Sequence, residues 1–147
     1  MKKLVLLGTL ALLLGASMLI LLVRQDVEAR VGEEQLYDDF GFSVLSAQRS
    51  GGRCAVELRI VNHARRVPYR LDGFHVRLVD AQGGEHEELR GEAVKPRTEI
   101  AAGESVVETH VFELPEKSQG VVLELSFGRI PDALDWLFLG KRTYALP

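Results

Sequence analysis

Residues 53–62 read RCAVELRIVN, and this run decides the fold. Cys54, Val56, Leu58 and Ile60 alternate with Arg53, Ala55, Glu57 and Arg59. Successive side chains of an extended chain point to opposite faces, so the run is a strand with one apolar and one wet face. On a helix the same four apolar residues would fall on two opposed sides. Downstream, Phe74, Val76 and Leu78 alternate with His75 and Arg77 in the same way. Asp80-Ala81-Gln82-Gly83-Gly84 then forms a turn whose glycines accept positive φ. Ala102-Gly103-Glu104 marks a second turn before a strand from Val107 to Leu114, which Pro115 stops. Val121, Leu123, Leu125 and Phe127 supply a further alternating strand.

Pro131 to Leu139 breaks the period. Asp132 can cap one or two helical turns that bring Ala133, Leu134, Trp136 and Leu137 to one side. Gly140 ends them, and Lys141 to Leu146 reads as a last short strand. Roughly seven short strands with turns about every ten residues predict an all-β domain over residues 40–147. The expected architecture is an immunoglobulin-like antiparallel β-sandwich, undivided by any repeat or glycine- and proline-rich stretch.

Upstream, the chain changes character. Leu4 to Val23 (LVLLGTLALLLGASMLILLV) holds ten leucines and no charge. At about 1.5 Å per residue, such a helix spans roughly 30 Å, the hydrocarbon core of one bilayer. Residues 1–23 are therefore expected to be a short tail and one N-terminal transmembrane helix. The competing reading is a cleaved signal peptide, with Val27-Glu28-Ala29 as the small-x-small site. The run is long for a signal core, which favours the uncleaved anchor. No cysteine follows it at an acylation position, which excludes a lipoprotein. Lys2 and Lys3 precede the run, whereas Arg24, Asp26, Glu28 and Arg30 follow it in mixed sign, which places the amino terminus inside and the C-terminal domain outside. Residues 24–39 (RQDVEARVGEEQLYDD) are polar and acidic and read as a linker that lifts the domain off the lipid. Ala11-x-x-x-Gly15 is a small-x-x-x-small pair, a spacing common enough in membrane helices to carry little weight.

Across 147 residues there are 18 Lys plus Arg against 21 Asp plus Glu, for a formal charge of −3. That balance argues against a phosphate-tracking nucleic-acid binder. A single cysteine, Cys54, excludes an internal disulfide and any multi-cysteine zinc site.

Five pieces of the chain resemble a family of bacterial extracytoplasmic immunoglobulin-like domains of unknown function. They are Tyr37-Asp38-Asp39-Phe40-Gly41-Phe42-Ser43-Val44, the strand end Val61-Asn62, and Leu78-Val79-Asp80-Ala81-Gln82-Gly83-Gly84. Ile100-Ala101-Ala102-Gly103-Glu104-Ser105 and Val111-Phe112-Glu113-Leu114-Pro115 complete the set. The resemblance covers about residues 36–147. It implies a membrane- or lipid-tethered accessory or binding domain, with no activity or cofactor to carry over. Many of its members carry a lipid-attachment cysteine where this chain has an apolar helix.

The chemistry-bearing residues are few. Cys54 falls in the apolar register of its strand and reads as a small packed hydrophobe. The serines show no nucleophile elbow of the G-x-S-x-G kind. Asp38-Asp39 and Asp132/Asp135 read as a strand lead and a helix cap, and Glu85-His86-Glu87-Glu88 as a charged edge that discourages sheet-to-sheet pairing. The histidines, His63, His75, His86 and His110, have neither the i, i+4 nor the i, i+2 spacing of a metal pair and are expected as solvated surface groups. Arg65-Arg66-Val67-Pro68-Tyr69-Arg70 is the distinctive loop. Its three arginines and one tyrosine give a basic, stacking-capable tip suited to lipid headgroups, cell-wall polymers or an acidic partner.

These readings predict a non-enzymatic, single-pass, membrane-anchored extracytoplasmic module that binds another envelope component. The membrane is engaged through residues 4–23. Arg65, Arg66, Tyr69 and Arg70 are the expected contact residues for an envelope protein or cell-wall component. No catalytic residue, cofactor or nucleic-acid partner is expected. The alternative is an exported metal-binding or metal-delivery protein using its histidines, secreted after signal cleavage.

Overall fold

The computed structural model describes residues 15, 27–71, 73–89, 97–127 and 142–147. The decisive run forms a strand over Arg53–Asn62, with Cys54, Val56, Leu58, Ile60 and Asn62 buried at alternate positions. It is the fourth of the eleven strands among the described residues: β1 Val27–Arg30, β2 Glu34–Tyr37, β3 Phe40–Ser50, β4 Arg53–Asn62, β5 Tyr69–Arg70, β6 Phe74–Val79, β7 Glu85–His86, β8 Glu99–Ile100, β9 Ser105–Glu113, β10 Val122–Phe127 and β11 Arg142–Ala145. Gly51 and Gly52, at φ 57° and 75°, make the two-residue loop that joins β3 to β4. Two successive positive φ values match the twist of a tight hairpin, and glycine adopts them without strain.

One sheet has the order β1-β11-β10-β6-β7 and a second the order β2-β3-β4-β9, with β5-β8 as a small pair. The expected sandwich was wholly antiparallel. The structure differs at one place, because β1 runs parallel to β11, with Val27 beside Arg142 and Arg30 beside Ala145. A bulge between Val44 and Ser46 in β3 leaves Leu45 exposed, while Phe42 and Val44 stay in the core. An extra residue on one strand allows that without flipping the register beyond it.

The two large sheets close on one core. Phe42 of β3 stacks on Phe74 of β6 at 5.2 Å between ring centroids. The Tyr144 hydroxyl on β11 donates to the Phe42 carbonyl, and the Gln35 side-chain amide on β2 donates to the Thr143 carbonyl at 2.7 Å. Phe42, Leu58, Ile60, Leu78, Phe112 and Leu123 have no exposed surface; each contributes about 1.5–3 kcal/mol by leaving water. The chain is a β-sandwich.

The acidic stretch expected as a linker over residues 24–39 behaves differently from residue 27 onward. It forms β1 and β2, one on each sheet, joined by a turn in which the Gly32 N–H reaches the Val44 carbonyl at 2.7 Å. Its charged residues face water, while Ala29, Gln35 and Tyr37 turn inward. Four residues of a strand need only one or two inward groups, too few for hydropathy to register. Apart from residue 15, the helix expected over residues 4–23 lies outside the described residues, as do the helical turns expected over 131–139. No helix among the described residues is long and apolar enough to cross a membrane.

Candidate interaction loop

β4 does not stop at its last apolar residue. Asn62 takes the next inward position and is fully buried. A buried amide must find partners or lose its hydration without compensation. Asn62 finds three: Nδ2 donates to the carbonyls of Val67 at 2.9 Å and Ile100 at 3.1 Å, and Oδ1 accepts the Ala64 N–H at 3.0 Å. Its backbone joins the neighbouring turn, since the Asn62 N–H donates to Glu104 and the Asn62 carbonyl accepts from Gly103, both at 2.9 Å. One side chain thereby sets the path of residues 63–68 and fastens it to the 100–104 turn.

The remaining supports come from either side. The His63 N–H donates to the Asp39 carbonyl at 2.7 Å, and His63 Nε2 lies 3.3 Å from Glu34 Oε1. Ala64 is buried beneath the loop. At its far end Tyr69 pairs with Ile100 and Arg70 with Glu99 in the β5–β8 ladder. The Ala101 N–H and then the Arg97 guanidinium, 2.6 Å away, hold the Glu104 carboxyl below its usual range and brace the adjoining turn.

The four expected contact residues therefore divide into two pairs. Arg65 and Arg66 stand exposed at the tip beside Val67, which is 62% exposed, and Pro68. Tyr69 is half-buried, its ring stacked on Phe40 at 3.6 Å. It supports the loop from below, and Arg70 lies exposed on the β5–β8 ladder. Asn62 was not among the expected site residues, although its inward register position in RCAVELRIVN marks it as a polar group forced into the core.

The histidines differ from the solvated groups expected. Only His75 and His63 are exposed. His86 Nε2 lies 3.1 Å from Asp80 Oδ2, and His110 Nδ1 lies 2.7 Å from Glu88 Oε1 with Glu108 at 3.7 Å from its other nitrogen. The side chains of His86 and His110 are only 12% and 13% exposed. Each imidazole faces carboxylates of its own, and no group of three His, Cys, Asp or Glu among the described residues is arranged to hold a metal ion. The Glu85–Leu89 segment crosses between sheets: β7 pairs with β6, then Leu89 donates to the Val111 carbonyl at 2.6 Å on β9. An open, mixed-charge groove lies along it, lined by His75, Arg77, His86 and Phe112 among others. Cys54 is buried, and that burial pushes its thiol pKa up, with Arg49 opposing. The inward thiol is set for packing and poorly set for nucleophilic attack.

No family model matches the chain, and no match to a curated protein was found. Solved structures do resemble it. The yjhA protein of Bacillus subtilis is 14% identical, with a TM-score of 0.59 over 80% of this chain and 98% of that one. A secreted protein of Mycobacterium tuberculosis, MPT63, is 14% identical with a TM-score of 0.56, covering 82% and 98% of the two chains. A β-sandwich protein of Clostridium difficile is 12% identical with a TM-score of 0.54, covering 84% and 96%. At such identities the likeness is one of fold.

Proposed function

We propose that the chain is a non-enzymatic, membrane-anchored, extracytoplasmic immunoglobulin-like module that binds another envelope component through the Arg65–Pro68 tip. The observation that carries this reading is the tip itself: two adjacent exposed arginines on a loop held by a buried asparagine. A loop shaped before it meets its partner loses little freedom on binding, and loops at the ends of sandwiches are where such domains make contacts. The partner surface is acidic, to match the guanidinium forks.

The immunoglobulin-like assignment is supported by the strand pairing. β3-β4-β9 lies on one sheet and β11-β10-β6 on the other, the arrangement of A-B-E against G-F-C strands. The outside location is supported by the charge order around residues 4–23 and by the fold shared with a secreted mycobacterial protein. The test is crosslinking in intact cells making the tagged full-length protein, compared with an Arg65→Glu/Arg66→Glu double variant. Capture of an envelope component that weakens severalfold in the variant supports the module. Equal capture by both removes this surface. The mass of the captured species reports whether residues 1–29 are retained.

A further inference from the structure

We infer that the domain stands with the end bearing β1's first residue against the bilayer, so that the Arg65–Val67 tip meets anionic lipid headgroups. The inference rests on the anchored reading proposed above and names the acidic component that the tip contacts.

It begins with the length of the tether. As a sixteen-residue linker, residues 24–39 would reach about 55 Å when extended. β1 instead begins at Val27, with only three residues between it and the apolar run. Four residue steps separate Val23 from Val27, which spans at most about 14 Å. The headgroup layer itself is roughly 5–7 Å thick. The first residue of β1 therefore stands no more than about one side-chain length beyond the headgroups.

The sheet register places the loop at that same end. Val27 is beside Arg142, and Arg142 pairs with Leu125. The next residue, Thr143, accepts the Gln35 amide, and Gln35 pairs with Phe42. Phe42 lies two residues from Phe40, whose partner across the ladder is Asn62, the base of the loop. The β3–β4 turn at Gly51-Gly52 and the 115–118 turn lie at the other end of the sandwich. A domain held so closely by β1 has the 63–68 loop on its lipid-facing side.

The tip suits the place. Neither Arg65 nor Arg66 is paired among the described residues, and a guanidinium can grip a phosphate with two parallel hydrogen bonds. Val67 beside them offers an exposed apolar group that the headgroup layer can receive. Nearby acids are partly engaged, Glu34 by His63 and Glu104 by Arg97. Asp38 and Asp39 on the adjoining hairpin are exposed acids at the same end and oppose the attraction, which leaves it to the tip alone. A local contact suffices, because the anchor holds the tip at high effective concentration near the surface.

The experiment uses full-length protein reconstituted into bilayers of phosphatidylcholine with or without phosphatidylglycerol. A polarity-sensitive fluorophore is attached at Val67→Cys, and in a separate variant at Glu116→Cys in the opposite turn; the buried Cys54 stays unlabelled. The expected result is a blue shift and quenching by lipid-borne quenchers at position 67 in the phosphatidylglycerol bilayers. Position 116 is expected to stay unchanged. Adding Arg65→Glu/Arg66→Glu lowers the quenching at least about fivefold. A water-like signal at position 67 in protein that resists carbonate extraction overturns the docking and leaves the anchor standing. Release of the protein by carbonate removes the anchored reading and the docking with it. Shielding of position 67 only after envelope proteins are added makes the partner a protein and overturns the lipid assignment.

Discussion

Asn62 Nδ2 and the Val67 carbonyl, five residues apart, are joined by a 2.9 Å hydrogen bond that closes the base of the basic loop. The same nitrogen holds Ile100, so the amide is the hub of two loops. Asn62→Ala leaves the Ile100 carbonyl and the Ala64 N–H without their partner in a dry setting and gives the partly exposed Val67 carbonyl to water. At about 1–3 kcal/mol for a buried polar group left unsatisfied, the variant is expected to lose about 2–4 kcal/mol in urea denaturation. Hydrogen exchange at Ala64 is expected to quicken with it. Unchanged exchange there means the loop keeps its shape by other means.

Tyr144 ties β11 to β3 through its hydroxyl, and burial pushes its pKa up to about 12 from 10.0. The fold thus favours the protonated phenol. Its contribution is fully present below pH 10, where the unfolded tyrosine is also protonated, and is lost as the pH rises from 10 to about 12. Two units correspond to about 2–3 kcal/mol at most. Tyr144→Phe is expected to cost about 1 kcal/mol at pH 8 and to show a smaller loss of stability between pH 9 and pH 12 than the parent. Parallel stability curves across that range contradict this.

Asp80 organises the turn into β7. The Gly84 N–H, then the Gln82 N–H and His86, hold its carboxyl below the usual range. A carboxyl depressed by folding stabilises above its unfolded pKa and ceases to do so as the pH falls through its folded value. Asp80→Ala is expected to be less stable than the parent at pH 7, with the gap narrowing steadily below about pH 3.8. Denaturant midpoints measured from pH 7 to pH 2.5 check the trend.

Cys54 is fully buried and its thiol pKa is raised. A thiol reagent at pH 8 is expected to leave the native protein unmodified for as long as it stays folded and to label it at once in denaturant. Rapid native labelling would show that β3 and β4 open far more often than their packing implies.

The strands that announce themselves in the sequence are those with many inward positions. β4 has five and β10 has a run of alternating leucines, and both lie where their period places them. β1 and β2 are hidden because Ala29, Gln35 and Tyr37 make a weak apolar signal among six acidic neighbours. β5, β7 and β8 have two residues each and exist through their partners alone. The basic tip is legible as Arg65-Arg66, but the roles of its neighbours are not. Tyr69 reads as a stacking platform until Phe40, distant in sequence, is seen to cover its ring. His110 reads as solvated because Glu88, 22 residues away, is brought to it only by the crossing of the Glu85–Leu89 segment between sheets. Sequence spacing records neighbours along a strand and is silent about neighbours across the fold.

The central claim is that the Arg65–Pro68 tip of an anchored domain is the surface that meets the envelope. The direct measurement is photo-crosslinking in intact cells from a benzophenone residue at position 66, with position 116 as the reference. The account predicts discrete adducts with an envelope component from position 66, depleted severalfold by Arg65→Glu, and none from position 116. Equal adducts from both positions, or none from position 66, would contradict it.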